Sequence, residues 1–152
     1  MPHIFSYILI VAIGLISAVF DPAYAEDTAD PVESTATDDF QQAQALIKKE
    51  NFADALVVLT DLTAAQPENA DAWNLLGFSN RKLGNYDAAA TAYDTALRLN
   101  PGHLGALEYQ GEMFVETGKI DLARANLALL KSICGTCEQL EDLENSIQKS
   151  GS

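Results

Sequence analysis

The chain has 152 residues, 48% hydrophobic and 20% charged, with nine basic against 22 acidic side chains and a formal net charge of −13. That length suits one domain of ordinary size, and the acidity argues against nucleic acid and anionic membrane surfaces, both of which select basic patches. A cationic partner is compatible with it.

At the N-terminus no charged residue occurs from Ile4 to Phe20, and Ala23-Tyr24-Ala25 places small residues where a signal peptidase reads them, just before Glu26. No Lys or Arg precedes the apolar run, only His3 and the amino terminus. A spanning helix needs about 20 apolar residues, and this run is shorter. Residues 1–25 therefore read as a signal peptide cleaved after Ala25, which predicts a periplasmic or otherwise exported protein. An uncleaved anchor, and with it membrane attachment, is the alternative. Cleavage removes one acid, Asp21, and no base, leaving a net charge of about −12. From Glu26 to Asp39 there are six acidic residues, no Lys or Arg and no helical apolar period. Such a stretch buries too little apolar surface to offset its ordering entropy, so residues 26–37 are expected to be a disordered acidic linker.

Beyond it, a fixed spacing of 34 residues dominates the chain. It separates Gly77 from Gly111, Gly84 from Gly118, Ala55 from Ala89, Ala89 from Ala123 and Pro67 from Pro101. A period of this size marks one supersecondary unit repeated along the chain, each copy burying its apolar face against its neighbours. The clearest copy carries Trp73, Leu76, Gly77, then Gly84-Asn85-Tyr86, then Ala89, Tyr93, Ala96 and Pro101. Gly77 and Ala89 are small where two antiparallel helices must approach, and the larger side chains fill the space around them. Gly84 suits the left-handed conformation that ends a helix, and Pro101 cannot continue the second one.

These residues resemble the tetratricopeptide repeat (TPR), with its W-x2-L-G-x2-Y, A-x3-F and P pattern over about 34 residues. Asn80 stands where that family prefers tyrosine. The flanking copies are weaker. The first holds Ala43, Leu46, Phe52, Ala55, Leu59, Leu62 and Pro67, with Asp39 in the tryptophan position and Glu50 in place of the turn glycine. The third holds Leu107, Gly111, Phe114, Gly118, Ile120, Ala123, Leu127 and Leu130, with Gly135 where the proline would fall. The resemblance implies an all-α fold: three helix-turn-helix hairpins in a right-handed solenoid over residues 38–135, as units of about 36–69, 70–103 and 104–135.

Next comes the only cysteine pair, Cys134-Gly-Thr-Cys137, followed by Leu140, Leu143 and Ile147 at helical spacing. Residues 136–150 are expected to form a capping helix, its outer face polar through Glu138, Glu141, Asp142 and Glu144. A c-type haem site would need His where Glu138 stands. A zinc site needs about four ligands, and outside the signal only His103 could join the two thiols. No cofactor or metal is expected. A structural Cys134–Cys137 disulfide fits an oxidising compartment, while a thiol-disulfide exchange or redox-sensing pair is the alternative. The arrangement also looks like the tail of small exported bacterial TPR proteins in which Cys-x-x-Cys follows the last repeat.

In the TPR family the first helices of successive units line a groove that binds an extended peptide or a partner helix. By register, the resemblance places there Phe40, Gln44 and Ile47 from the first unit, Asn74, Phe78, Arg81 and Lys82 from the second, and Glu108, Glu112 and Val115 from the third. Members that clamp a terminal carboxylate present several basic and amide groups; Asn74 and Arg81 suit that, whereas Glu108 and Glu112 do not. Phe78 is either a ligand anchor or packing between first helices. No His-containing catalytic constellation exists, and Glu108 with Glu112 reads as a solvated or groove-lining stripe. The expectation is a non-catalytic adaptor or assembly factor that binds an unidentified protein or peptide.

Overall fold

The computed structural model describes residues 31–151. Among the described residues there are seven helices and no strand: α1 (Pro31–Lys48), α2 (Phe52–Ala65), α3 (Ala70–Lys82), α4 (Tyr86–Leu99), α5 (Leu104–Glu116), α6 (Ile120–Cys134) and α7 (Glu138–Ser150). Consecutive helices pair as hairpins α1–α2, α3–α4 and α5–α6, and α7 lies against both α5 and α6. The expected signal segment, residues 1–25, lies outside the described residues. Of the expected linker, residues 31–37 belong to α1, which begins at Pro31, and residues 26–30 lie outside the described residues. Proline is favourable in the first turn of a helix, where its missing donor costs nothing and its fixed φ is already helical.

Hairpin turns fall where the glycines predicted them. Gly84 and Gly118 both adopt the left-handed conformation, with φ of 79° and 72°. Glu50 takes the equivalent place in the first hairpin with φ of 58°. It does so with a Cβ, so this turn carries backbone strain that the other two avoid. Side chains cap the starts of α3 and α5: Asn69 accepts from the Ala72 amide at 3.0 Å and His103 Nδ1 from the Ala106 amide at 3.2 Å. His103 therefore caps α5, and its Nε2 also lies 2.9 Å from Asp71 Oδ1 at the start of α3. Because Nδ1 accepts, Nε2 carries the proton in this geometry.

The core forms three clusters along the array rather than one centre. Ala43, Ala55, Leu59, Leu62 and Ala72 join the first hairpin to the second, with Phe40 and Ile47 packed against them. Ala89, Tyr93 and Met113 form the middle cluster. Leu107 and Leu130 are buried with Leu143 of α7, which Leu140 and Ile147 flank. Between α4, α5 and α6 a polar chain runs inside: Asn126 donates to Leu107 O and to Gln110 Oε1, both at 3.0 Å, and Gln110 donates to Asp94 at 2.7 Å. The amides of Asn126 and Gln110 are thereby both bonded.

The two periodic glycines turn out to face different neighbours. A Cβ on Gly77 would lie 2.6 Å from the Tyr93 ring, within its own hairpin. A Cβ on Gly111 would lie 2.5 Å from Leu143 Cδ2, on the capping helix. The repeat spacing predicts a small residue at both; it does not reveal that α7 supplies the bulk at the second.

Candidate partner-binding groove

The first helices α1, α3 and α5 present the residues that the repeat register singled out, and α7 extends the row. Near its N-terminal end, a cleft of about 340 Å³ opens between α1 and the start of α3, lined by Phe40, Gln41, Gln44, Gln66, Asn69 and Asp71. Asn69 donates to Gln66 at 2.8 Å. Gln41 and Gln44 are exposed on α1 and make no hydrogen bond among the described residues. Amides of this kind can donate to and accept from a peptide backbone. Ile47 instead packs on the first core cluster.

The middle of the row is filled. Phe78 lies between Phe52 and Tyr109, with ring centroids 6.0 Å and 4.8 Å away. Arg81 projects beside this stack, its guanidinium carbon 5.5 Å from the Phe78 centroid and 5.7 Å from that of Tyr109. Its two terminal nitrogens bind Glu112 at 2.7 Å and Glu116 at 2.8 Å. Burial opposes the Arg81 charge, but Tyr93, Glu112 and Glu116 more than offset that, and the guanidinium is held above its ordinary range. With a residue exposure of 6%, Arg81 is a strut between α3 and α5, not the free groove cation that the register suggested. Asn74 is likewise buried, packed against Gly105, and its Oδ1 has no hydrogen-bond partner. Lys82 does stay exposed, its ammonium 5.6 Å from the Phe78 ring centroid.

Phe78 thus packs between helices, and Phe52 and Tyr109, which the register did not select, complete its surroundings. Phe52 opens α2 and Tyr109 lies one residue past a groove position, so linear spacing gave no reason to place either there. Glu116 was legible in principle, since it shares the repeat position of Lys82. Opposite charges at that shared position mark where adjacent units can attract.

The third unit differs. Glu108 is only 7% exposed and makes no hydrogen bond or ion pair among the described residues. Burial, then repulsion from Glu112, Asp142 and Glu138, pushes its carboxyl up to about 8, against the opposing pull of Arg81. Burial, followed by Glu108 and Glu112, raises the Tyr109 hydroxyl as well. At the end of the array, Cys134 and Cys137 stand at disulfide distance across the α6–α7 turn, with Gly135 between them at φ of 67°.

Known proteins match this arrangement. Residues 70–103 fit one family model described as tetratricopeptide repeat, and residues 40–78 fit a second with the same description. The chain carries TPR repeats in an all-α TPR fold. A Vibrio cholerae protein named as a beta-barrel assembly-enhancing protease is 33% identical over 84 residues, which are 54% of this chain but 17% of that protein. The chain thus spans about a sixth of that curated relative. Among solved structures, the first TPR of Spaghetti (RPAP3), bound to an HSP90 peptide, superposes with a TM-score of 0.69 at 16% identity, covering 78% of this chain and 95% of that one. The Yersinia enterocolitica type III secretion translocator chaperone SycD gives 0.68 at 16% identity, over 77% and 89% of the two chains. A chain of the CopN–Scc3 complex gives 0.65 at 18% identity, over 89% and 82%. At such identities these likenesses speak to the fold of this TPR chain.

Proposed function

We propose that this TPR chain is a non-catalytic adaptor or assembly factor that binds a protein or peptide along α1, α3, α5 and α7 in an extracytoplasmic compartment. The observation that carries the reading is the cleft of about 340 Å³ in which Gln41 and Gln44 offer unused amide groups beside Phe40. An apolar wall with a few convergent polar groups is the usual make-up of a binding cleft. TPR neighbours described as peptide-bound or as a chaperone lend support by analogy of fold. Export rests on the Ala23-Tyr24-Ala25 cleavage pattern after the uncharged run. The pairing of Cys134 with Cys137 fits an oxidising compartment and a local role, holding the angle at which α7 leaves α6.

A thiol-disulfide exchange role finds less physical support. Cys137 precedes a first helical turn that carries Glu138 and Glu141, and both carboxylates repel a thiolate there. The deciding experiment is affinity capture with residues 26–152 from a native extracytoplasmic extract, with Gln44→Ala/Lys82→Ala as the comparison. Both residues are exposed, so the double variant keeps the core intact. Loss of the captured protein in the variant is the expected result; equal capture would reject this face as the binding site. A thiol assay that found both cysteines reduced in the exported protein would reject the structural disulfide.

A further inference from the structure

We propose that the cleft between α1 and the start of α3 holds an internal, extended stretch of a partner chain by its backbone and turns away a free C-terminal carboxylate. This rests on the peptide-binding reading above and names the form in which a peptide is bound at that site.

Size sets the shape of the occupant. The cleft volume of about 340 Å³ is near the lower end of ordinary ligand pockets, which run from about 300 to 1,000 Å³. A helix, about 10–12 Å across with its side chains, needs a wider trough, whereas an extended chain presents a narrow ribbon. The polar groups suit the ribbon. Gln41 and Gln44 both line the cleft and stand three residues apart on α1, so they leave the same face of that helix about 5–6 Å from each other. Alternate peptide groups of an extended chain, which point the same way, recur about every 6.5–7 Å. Neither glutamine makes a hydrogen bond among the described residues, and each carries both a donor and an acceptor. Gln66 spends its Oε1 on Asn69, which leaves the NH2 as the group it offers. Phe40, half-buried beside them, supplies an apolar contact for one side chain.

Charge sets which part of a chain enters. Among the described residues no lysine, arginine or histidine lines the cleft, and Asp71 is its one acid, held by His103 Nε2 at 2.9 Å. The start of α3 is the feature there that favours an anion, but Asn69 already caps it and Asp71 in its first turn supplies the negative charge. Of the two cations that the repeat register placed on this face, Arg81 is bound by Glu112 and Glu116, and Lys82 lies by the Phe78 ring at the far end of α3. A terminal carboxylate in the cleft therefore gives up water without meeting a positive charge. An internal peptide group is neutral and brings one donor and one acceptor, both of which the amides can match.

The test uses the mature chain and acetyl-Thr-Leu-Thr-Val-Thr-amide with three relatives: the same sequence ending in a free carboxylate, and two forms N-methylated at alternate residues, one at the second and fourth and one at the third and fifth. NMR titration is run at pH 7 in about 0.3 M salt, where general repulsion between an acidic protein and an anion is largely screened. The amide peptide should shift the side-chain NH2 signals of Gln41 and Gln44. The carboxylate form should bind roughly tenfold more weakly, and at least one N-methylated form should lose a similar factor, the scale of one or two backbone hydrogen bonds. Gln41→Ala/Gln44→Ala alters only exposed residues of α1, so the fold is kept; it should weaken the amide peptide to the same degree and make binding insensitive to methylation. Equal binding of the amide and carboxylate peptides, full affinity in both N-methylated forms, or no binding of the amide peptide at millimolar concentration would overturn the proposal. If capture of the native partner depends on Gln44 and Lys82 while the amide and carboxylate peptides bind alike, only this inference falls. If capture is indifferent to Gln44 and Lys82, the broader reading falls instead.

Discussion

The seam between α3 and α5 and the seam between α5 and α7 occupy successive places along one repeat array, but they are closed by different physics. In the first, Phe78 stacks on Tyr109 and Arg81 binds both Glu112 and Glu116, so a cation from one unit is held by acids of the next. In the second, the contact is apolar, with Leu143 set against Gly111, and Asp142 and Glu138 of α7 add to the repulsion that raises the Glu108 carboxyl. Units of the same register are therefore not interchangeable in electrostatics. A seam between two complete units can carry a counter-charge of its own, while a seam with a cap that must be polar outside inherits the cap's charge.

The comparison can be broken most directly at Leu143. This side chain is fully buried, so Leu143→Ala should destabilise the protein by about 3 kcal/mol through lost burial and a residual cavity. Urea unfolding followed by circular dichroism checks it. A loss under about 1 kcal/mol would mean that α7 contributes little to the array.

The glycines test whether the two seams differ in rigidity. Gly77→Ala presses on an aromatic ring at 2.6 Å and should cost about 2 kcal/mol. Gly111→Ala meets the terminal methyl groups of Leu143 at 2.5 Å and 2.7 Å, which can turn away, and alanine also favours the helix. About 1 kcal/mol is expected there. Equal losses would contradict the view that Tyr93 is the stiffer neighbour.

A pH series isolates the acidic seam. The carboxyl of Glu108 rises from an ordinary 4.5 to about 8 on folding, so between those values the folded protein keeps a proton that the unfolded chain has released. Its contribution is complete below about pH 4.5 and lost as the pH rises through about 8. Measured against wild type across that range, Glu108→Gln should gain relative stability as the pH rises, by about 2 kcal/mol at the alkaline end. A constant difference between the two proteins would remove the strained carboxyl from the account of this seam.

A comparably small effect lies at Glu50, outside both seams. Glu50→Gly relieves a left-handed residue, at φ of 58°, that the other two hairpins assign to glycine. A gain of about 1 kcal/mol is expected in thermal or urea unfolding, net of the added freedom of the unfolded chain. No gain would indicate that the turn relaxes without strain.

Much of this architecture was written in the linear pattern, and for a stated reason. Local rules govern a helical repeat: Gly84 and Gly118 end helices, Pro101 forbids continuation, and apolar residues at helical spacing choose the buried face. The repeat spacing and the caps therefore determined the three hairpins, the cysteine boundary and the amphipathic α7 from sequence alone. Phe40 and Gln44, which the register singled out, both line the cleft beside α1.

Sequence could not decide what each side chain meets across helices. That Arg81 would be used up by Glu112 and Glu116, that Phe78 would be enclosed by Phe52 and Tyr109, and that Glu108 would be buried among acids from α7 all depend on how separate helices lie against one another. Spacing along the chain carries the period of a helix, whereas burial and Coulomb interactions depend on distances in space. The same glycine at the same repeat position met tyrosine in one unit and leucine in the next for that reason.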